Sequence, residues 1–412
     1  MLRRHFLAAT ALALVIAAPA AAQEGEPIRV AALYSLTGGL SSLDGPSLKG
    51  AELHVHQINE AGGVLGRPLE LVVFDTRTDQ QMTATAAQEA VSSNIVAGFG
   101  QSDTTFVMAA APTFQEAGIP FVTSGATHPM LPTWVGENMF MAAFGDDDQS
   151  YAIADYAYDE LGLRRVYVWT DNSMDFTRAL TQFFVERFQE RGGEIIAEDF
   201  FMMGDTDFSA QIARLAAVDP APDGVFVSAI PSEAGLSVRQ IREAGITMPI
   251  VSGDGFDTQL VSEVPGPELA NDVWFSTHTS LADDRPEVQG FIDAYTAFHG
   301  GPPENSFAPL GYDAIGLIAN AIETAGSDDP AAIREALAAT RDYPAVTGVI
   351  SYTRENMVPP KPVSIVMVSG GEFSVEHIWR PEEATAAGRG GSAPGTEAAR
   401  CSRLDTSAQT QG

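Results

Sequence analysis

Short apolar runs rich in β-branched residues alternate with amphipathic runs along most of the chain. "IRVAALYSL" from Ile28 reads as a strand. In the run that follows, Leu48, Ala51, Val55 and Ile58 fall at helical spacing, and Gly62-Gly63 stops it. "LELVVFD" is a second strand, "DQQMTATAAQEAVSS" a helix and "NIVAGFG" a third strand; "TFVMAAAPTFQEAG" is helix and "IPFVTSG" strand. This βαβα order predicts a parallel sheet with helices on both faces.

The pattern then restarts. "RRVYVWTD", "EIIAEDFF", "DGVFVSAI" and "MPIVSGDG" read as strands, separated by helices at "MDFTRALTQFFVERFQERGG", "DFSAQIARLAAVDP" and "SEAGLSVRQIREAG". Two series predict two lobes. "DVWFSTHT", three helices between Arg285 and Thr340, and a strand pair "KPVSIVMVSGG" and "EFSVEHIWR" follow. These are more elements than a second lobe needs, so the chain is expected to return to the first, with several crossings between the lobes.

The ends differ from the body. Arg3 and Arg4 precede an apolar stretch from Phe6 to Ala18, then Ala20-Ala21-Ala22. That is the layout of a cleavable signal peptide over 1–22, and the apolar run falls short of the ~20 residues of a spanning helix. The export route, general or twin-arginine, stays open. The expected destination is the periplasm. From 382 to 412 the chain is rich in Gly, Ser and Ala without apolar periodicity, and reads as a disordered tail. The one cysteine, Cys401, lies there and cannot pair within the chain. The formal net charge is −31, which argues against nucleic acid and anionic lipid as partners. Only two lysines occur, Lys49 and Lys361.

Candidate chemistry sits at strand ends. "IVAGFGQSDTTFVMAAAP" places Ser102, Asp103, Thr104 and Thr105 between a strand and a helix. It lacks the third glycine of a dinucleotide fingerprint, and Asp103 would point a negative charge at a pyrophosphate. Hydroxyls at a helix start suit a small carboxylate, drawn by free N–H groups; that they merely cap the helix is the alternative. "IPFVTSGATHPML" repeats the design with Thr123, Ser124, Gly125 and Thr127. Ligands of open α/β sheets lie beyond the carboxyl ends of strands. In the second series Asp171, Asp175 and Asp254 end strands, as turn formers or as partners for a cation. Donors on one lobe facing acids on the other would form a trap for a zwitterion. His54 and His56 face different directions on a helix, and His128, His278, His299 and His377 stand alone in the sequence. No metal, cofactor or catalytic motif is recognised. Trp134, Trp169, Trp274 and Trp379 are expected in the core or at lobe contacts.

The set "IRVAALYSLTGGLSSLDGPSLKGAELHVHQINEAGGVLGRPLELVVFD", "APTFQEAGIPFVTSGAT", "IREAGITMPIVSGDGF" and "FAPLGYDAIGLIANAIETAG", in that order, resembles the leucine/isoleucine/valine-binding proteins of ABC importers across most of 27–380. The resemblance implies a type I periplasmic-binding-protein fold of class α/β: two lobes joined by about three hinge crossings, one of 27–145 plus 277–351, the other of 146–276 plus 352–380. It implies capture of a small amino acid or analogue, branched-chain or hydrophobic favoured, by a monomer that hands it to an inner-membrane ABC permease. The carboxylate would be held by Thr104, with Ser102 and Thr105 near it, by the Gly125 backbone and by Thr127. Asp254 would take the amine and Phe307 would border the pocket. Three positions where well-known members carry tyrosine hold Leu43, Asp175 and Ile230; Asp175 beside Asp254 would favour extra positive charge on the ligand. A ligand sensor for a membrane receptor and a secreted hydrolase are the other readings.

Overall fold

The computed structural model describes residues 25–353 and 357–381. The expected signal peptide, the tail and Cys401 lie outside the described residues. Five parallel strands form the first sheet: β1 (Ile28–Tyr34), β2 (Leu69–Asp75), β3 (Ala97–Gly100), β4 (Phe121–Thr123) and β5 (Met139–Met141), in the order β2-β1-β3-β4-β5. The second sheet holds β6 (Arg165–Asp171), β7 (Glu194–Phe201), β8 (Gly224–Ser228), β9 (Ile250–Ser252), β10 (Val273–Thr277), β11 (Val363–Ser369) and β12 (Glu372–Trp379), in the order β12-β11-β10-β9-β8-β6-β7. The helices are α1 (Ser41–Glu60), α2 (Gln80–Val91), α3 (Thr104–Ala117), α4 (Leu131–Val135), α5 (Asp146–Asp159), α6 (Asp175–Glu190), α7 (Ser209–Ala216), α8 (Pro231–Glu243), α9 (Leu260–Glu263), α10 (Pro286–His299), α11 (Phe307–Ala325) and α12 (Pro330–Ala338). Among the described residues no helix is long and apolar enough to cross a membrane.

Both series predicted from the pattern are present. Central strands are buried on both faces, so they read as apolar runs rather than alternations. In β1, Val30, Ala32 and Tyr34 pack with α11 residues such as Ala314 and Ile318, while Ala31 and Leu33 pack with Phe114 and Ala87 on α3 and α2. The second sheet is mixed. β11 arrives from the other lobe and pairs antiparallel to β10, then turns through Gly370-Gly371 into antiparallel β12.

The chain passes between the lobes three times: after β5, after β10, and on the way to β11. Helices α10 to α12, which follow β10, return to the first lobe, where α11 lies along α1. That contact is backbone against backbone. A Cβ on Gly50 would stand 1.8 Å from the Ala308 carbonyl oxygen, and one on Gly311 1.8 Å from that of Ser47. Nothing at either place can give way as a side chain could.

His54 stacks on Tyr312 at 3.7 Å and His56 on Phe298 at 4.8 Å, so both pack. Trp169, Trp274 and Trp379 are buried as expected, but Trp134 is not in a core: it is 45% exposed on α4 and rests on His128. The five-residue helix has too few apolar neighbours to cover an indole.

Replacing Gly311 by Ala should separate α1 from α11 and destabilise the protein by about 2–3 kcal/mol, as overpacking does. Urea unfolding would read this directly, and an unchanged midpoint would mean that the helices do not touch as described.

Candidate ligand-binding site between the lobes

The loop after β3 decides between cap and site. Asp103 is the N-cap of α3; its Oδ1 accepts the Thr105 N–H at 2.7 Å. The hydroxyls are therefore not needed for capping. Ser102 Oγ and Thr104 Oγ1 are buried and have no hydrogen-bond partner among the described residues. Thr105 is engaged elsewhere, since its Oγ1 accepts the Asp175 N–H, from α6 of the other lobe, at 2.8 Å.

The turn after β4 is fastened to that loop. The Gly125 N–H donates to the Gln101 carbonyl at 3.2 Å, and Thr123 Oγ1 donates to the same oxygen at 3.2 Å. This corrects one expectation, because the Gly125 amide is already engaged rather than held out for a ligand. Gly125 is instead a contact surface: a Cβ there would lie 2.8 Å from Phe307 Cε1 and 3.3 Å from Ser102 Cα. Ser102 and Phe307 thus both lie against Gly125.

Thr127 and Asp254, from different lobes, meet through Gln149 on α5. Gln149 Nε2 lies 3.5 Å from Thr127 Oγ1, 2.9 Å from Asp146 Oδ1 and 3.1 Å from Asp254 Oδ1. Its Oε1 accepts the Asp254 N–H at 3.1 Å. Asp254 Oδ2 accepts from His278 Nε2 at 2.9 Å, and both side chains are essentially inaccessible. The histidine that stands alone in the sequence is therefore the partner of the proposed acid. Its ring stacks on Phe144 at 4.0 Å and meets Phe307 edge to face at 5.6 Å.

Neither Gln149 nor Asp146 is among the expected site residues, because the pattern reading passes over β5 and α5. A signal existed in "GDDDQS": three acids at a helix start are favoured by the dipole. Asp146 is fully buried; its N–H donates to the Thr127 carbonyl at 2.6 Å, and its Oδ2 has no partner among the described residues. Burial, then repulsion from Asp254, holds its carboxyl well above the usual range.

Leu43 and Ile230 lie in one buried cluster with Phe106, Met174, Phe176, Phe307 and Leu310, drawn from both lobes. Asp175 departs from its expected role. Its carboxylate pairs with Arg178 three residues on and is partly exposed, so its N–H rather than its charge faces the first lobe. A crevice of about 310 Å³ opens beside the cluster, lined by Thr78 and Gln81 on one lobe and Ser173 and Met203 on the other.

The fold and this arrangement define a two-lobed α/β protein with a polar and apolar cleft between its lobes. The chain belongs to the periplasmic binding protein family, whose model matches residues 27–372. It is 26% identical over 353 residues to Leu/Ile/Val-binding protein homolog 1 of Brucella suis, covering 85% of this chain and 92% of the relative. Among solved structures it resembles the leucine-binding protein LivK of Thermotoga maritima (32% identity, TM-score 0.80, 86% of this chain and 99% of that one). It also resembles LivJ of Streptococcus pneumoniae in complex with isoleucine (29% identity, TM-score 0.81, 86% and 100%). LivJ is the substrate-binding protein of a branched-chain amino-acid transporter.

Two measurements test the loop after β3. Thr104→Ala removes no hydrogen bond of the unliganded protein and should change stability by less than ~0.5 kcal/mol, whereas Asp103→Ala removes a cap and should cost about 1 kcal/mol. Equal losses for both, by urea unfolding, would put Thr104 in the cap.

The second concerns pH. Burial pushes the Asp44 and Asp103 carboxyls up to about 7. Unfolded carboxyls ionise near pH 4, so between there and pH 7 the folded state holds more protons and stability falls as pH rises. Asp103→Asn keeps a capping oxygen and removes one titration. Urea unfolding at pH 5 and pH 8 should therefore show a smaller loss in this variant than in the natural protein; equal losses would mean that Asp103 titrates normally.

Proposed function

We propose that the protein is the periplasmic solute-binding component of an ABC importer, and that it captures an amino acid with a branched-chain or other hydrophobic side chain. One observation carries this reading: Thr127 of the first lobe and Asp146 and Asp254 of the second converge on Gln149 in a buried junction, and the first lobe also carries the buried, unpartnered hydroxyls of Ser102 and Thr104. Thr104 and Ser102 donate to the ligand carboxylate, helped by the N-terminal dipole of α3. Asp146, which has an oxygen to spare, takes the ammonium together with Asp254, and His278 holds Asp254 in place. Leu43, Phe106, Ile230 and Phe307 surround the side chain.

The lobes, taken as 27–145 plus 277–351 and 146–276 plus 352–380, close about the three crossings. A ligand favours closure only through contacts made to both lobes at once. Without it, closing would bury unpaired polar groups, each costing roughly 1–3 kcal/mol. The closed monomer then presents both lobes to its inner-membrane permease. The names of the relatives support the ligand class, and the cleft chemistry supports its zwitterionic head.

A thermal-shift screen against hydrophobic amino acids, basic amino acids and small acids tests this reading. Leucine, isoleucine or valine should raise the melting temperature by mass action. Asp146→Asn and Asp254→Asn should each weaken binding by ~10-fold or more, the cost of removing one partner of a buried ammonium. Preference for an acid lacking an amine, or unchanged affinity in both variants, would sink the assignment.

A further inference from the structure

Of the chain's two lysines, Lys49 pairs with Glu304 near the surface, whereas Lys361 is 1% exposed. Lys361 lies two residues ahead of β11, where the third crossing enters the second sheet. Its ammonium donates to the Ala142 carbonyl at 2.8 Å and to Thr347 Oγ1. Ala142 opens the first crossing. Thr347 in turn donates to Asp313 Oδ2 through its Oγ1 at 2.6 Å and its N–H at 2.9 Å, and the Val346 N–H reaches Asp313 Oδ1 at 2.8 Å. Asp313 is itself buried on α11 of the first lobe.

A buried chain therefore runs from α11 through Thr347 and Lys361 to the first crossing. Two more bonds lie beside it: Tyr352 O–H donates to the Met141 carbonyl at 2.7 Å, and the Met141 N–H to that of Met357 at 3.2 Å. The second crossing joins through Arg285, which reaches Thr279 Oγ1 at 3.0 Å and the Val346 carbonyl at 3.4 Å, and pairs with Asp283. All three crossings meet around Val346 and Thr347. An apolar side chain would fill the space without burying a charge. What an ammonium adds is three donors at a point where acceptors from separate segments converge.

We infer that Lys361 is a positioning residue of the hinge: its ammonium ties the first and third crossings to α11 and so sets the interlobe angle from which the cleft closes on its ligand. This rests on the reading that the lobes close on an amino acid. Lys361 touches none of the proposed ligand contacts, so it acts only through the open–closed equilibrium, and a shift in that equilibrium appears as a shift in apparent affinity.

The hinge charge is titratable. Burial lowers the Lys361 pKa to about 8, with Asp313 on α11 acting to raise it and Arg285 on the second crossing to lower it. The Tyr352 phenol, raised by burial, stays neutral. Residues 142–145 of the first crossing carry no titratable side chain, nor does any residue but Lys361 between 357 and 363. Below pH 8 the tie is charged; above it the amine is neutral and loses the attraction of Asp313.

The test uses the purified protein, with L-leucine as probe, in titration calorimetry at pH 7 and pH 9. The natural protein should bind ~5–10-fold more weakly at pH 9. Lys361→Arg, charged at both values, should show little change, and Lys361→Met should be weak at both. X-ray scattering of the unliganded protein supplies a readout that needs no ligand: the radius of gyration should differ between pH 7 and pH 9 in the natural protein and not in Lys361→Arg. If Lys361→Met does not fold, the Arg variant and the pH comparison decide. A Lys361→Arg profile as steep as the natural one, or scattering that does not change with pH in either protein, overturns the hinge role and leaves the binding function untouched. Absence of leucine binding at both pH values sinks the branched-chain reading instead, and scattering alone then decides the role of Lys361.

Discussion

The junction between the lobes depends on one side-chain amide. Gln149 offers Nε2 to Thr127, Asp146 and Asp254 and receives the Asp254 N–H on its Oε1. An amide carries two donor hydrogens, so it cannot satisfy three acceptors fully. Burial first, and then repulsion from the neighbouring Asp254, raises the pKa of Asp146. A positive group from outside would relieve the shortage. The positions of β4, α5, β9 and the second crossing all serve to bring Thr127, Gln149, Asp254 and His278 within reach of one another.

The same reasoning links the two sides of the cleft. On the first lobe, Asp103 takes over the capping of α3 and so leaves the flanking hydroxyls of Ser102 and Thr104 without a partner in the unliganded fold. Across the cleft, Gln149 of the second lobe and His278 of the second crossing hold Asp254 in one orientation, and aromatic rings on two sides confine the imidazole. A side chain held this firmly loses little further freedom when a ligand arrives. Rigid partners discriminate between ligands better than mobile ones would.

The fold was legible because its signals are local. Parallel strands buried on both faces appear as short apolar runs, and the helices between them show helical spacing closed by glycine. The stretch from Pro132 to Leu163 escaped that reading because α4 is only five residues long and the α5 sequence "DDDQSYAIADYAYD" has no clear apolar stripe, so no recognisable helix flanks β5. The position of α11 against α1 could not be read from Gly50 and Gly311 either, since each glycine gains its meaning only from a carbonyl more than two hundred residues away.

The sequence alone determined the class of architecture, the strand ends that carry hydroxyls and acids, and the family. Each depends on neighbours along the chain, or on a pattern that many chains share. Only the tertiary structure decided what those residues do. It made Asp103 the cap, engaged the Gly125 amide, turned the Asp175 carboxylate towards Arg178, and gave Asp254 a histidine and a glutamine as partners. A hydrogen bond depends on distances of a few tenths of an ångström between groups that are often far apart in sequence. Those distances exist only after both lobes have folded and three crossings have set them face to face.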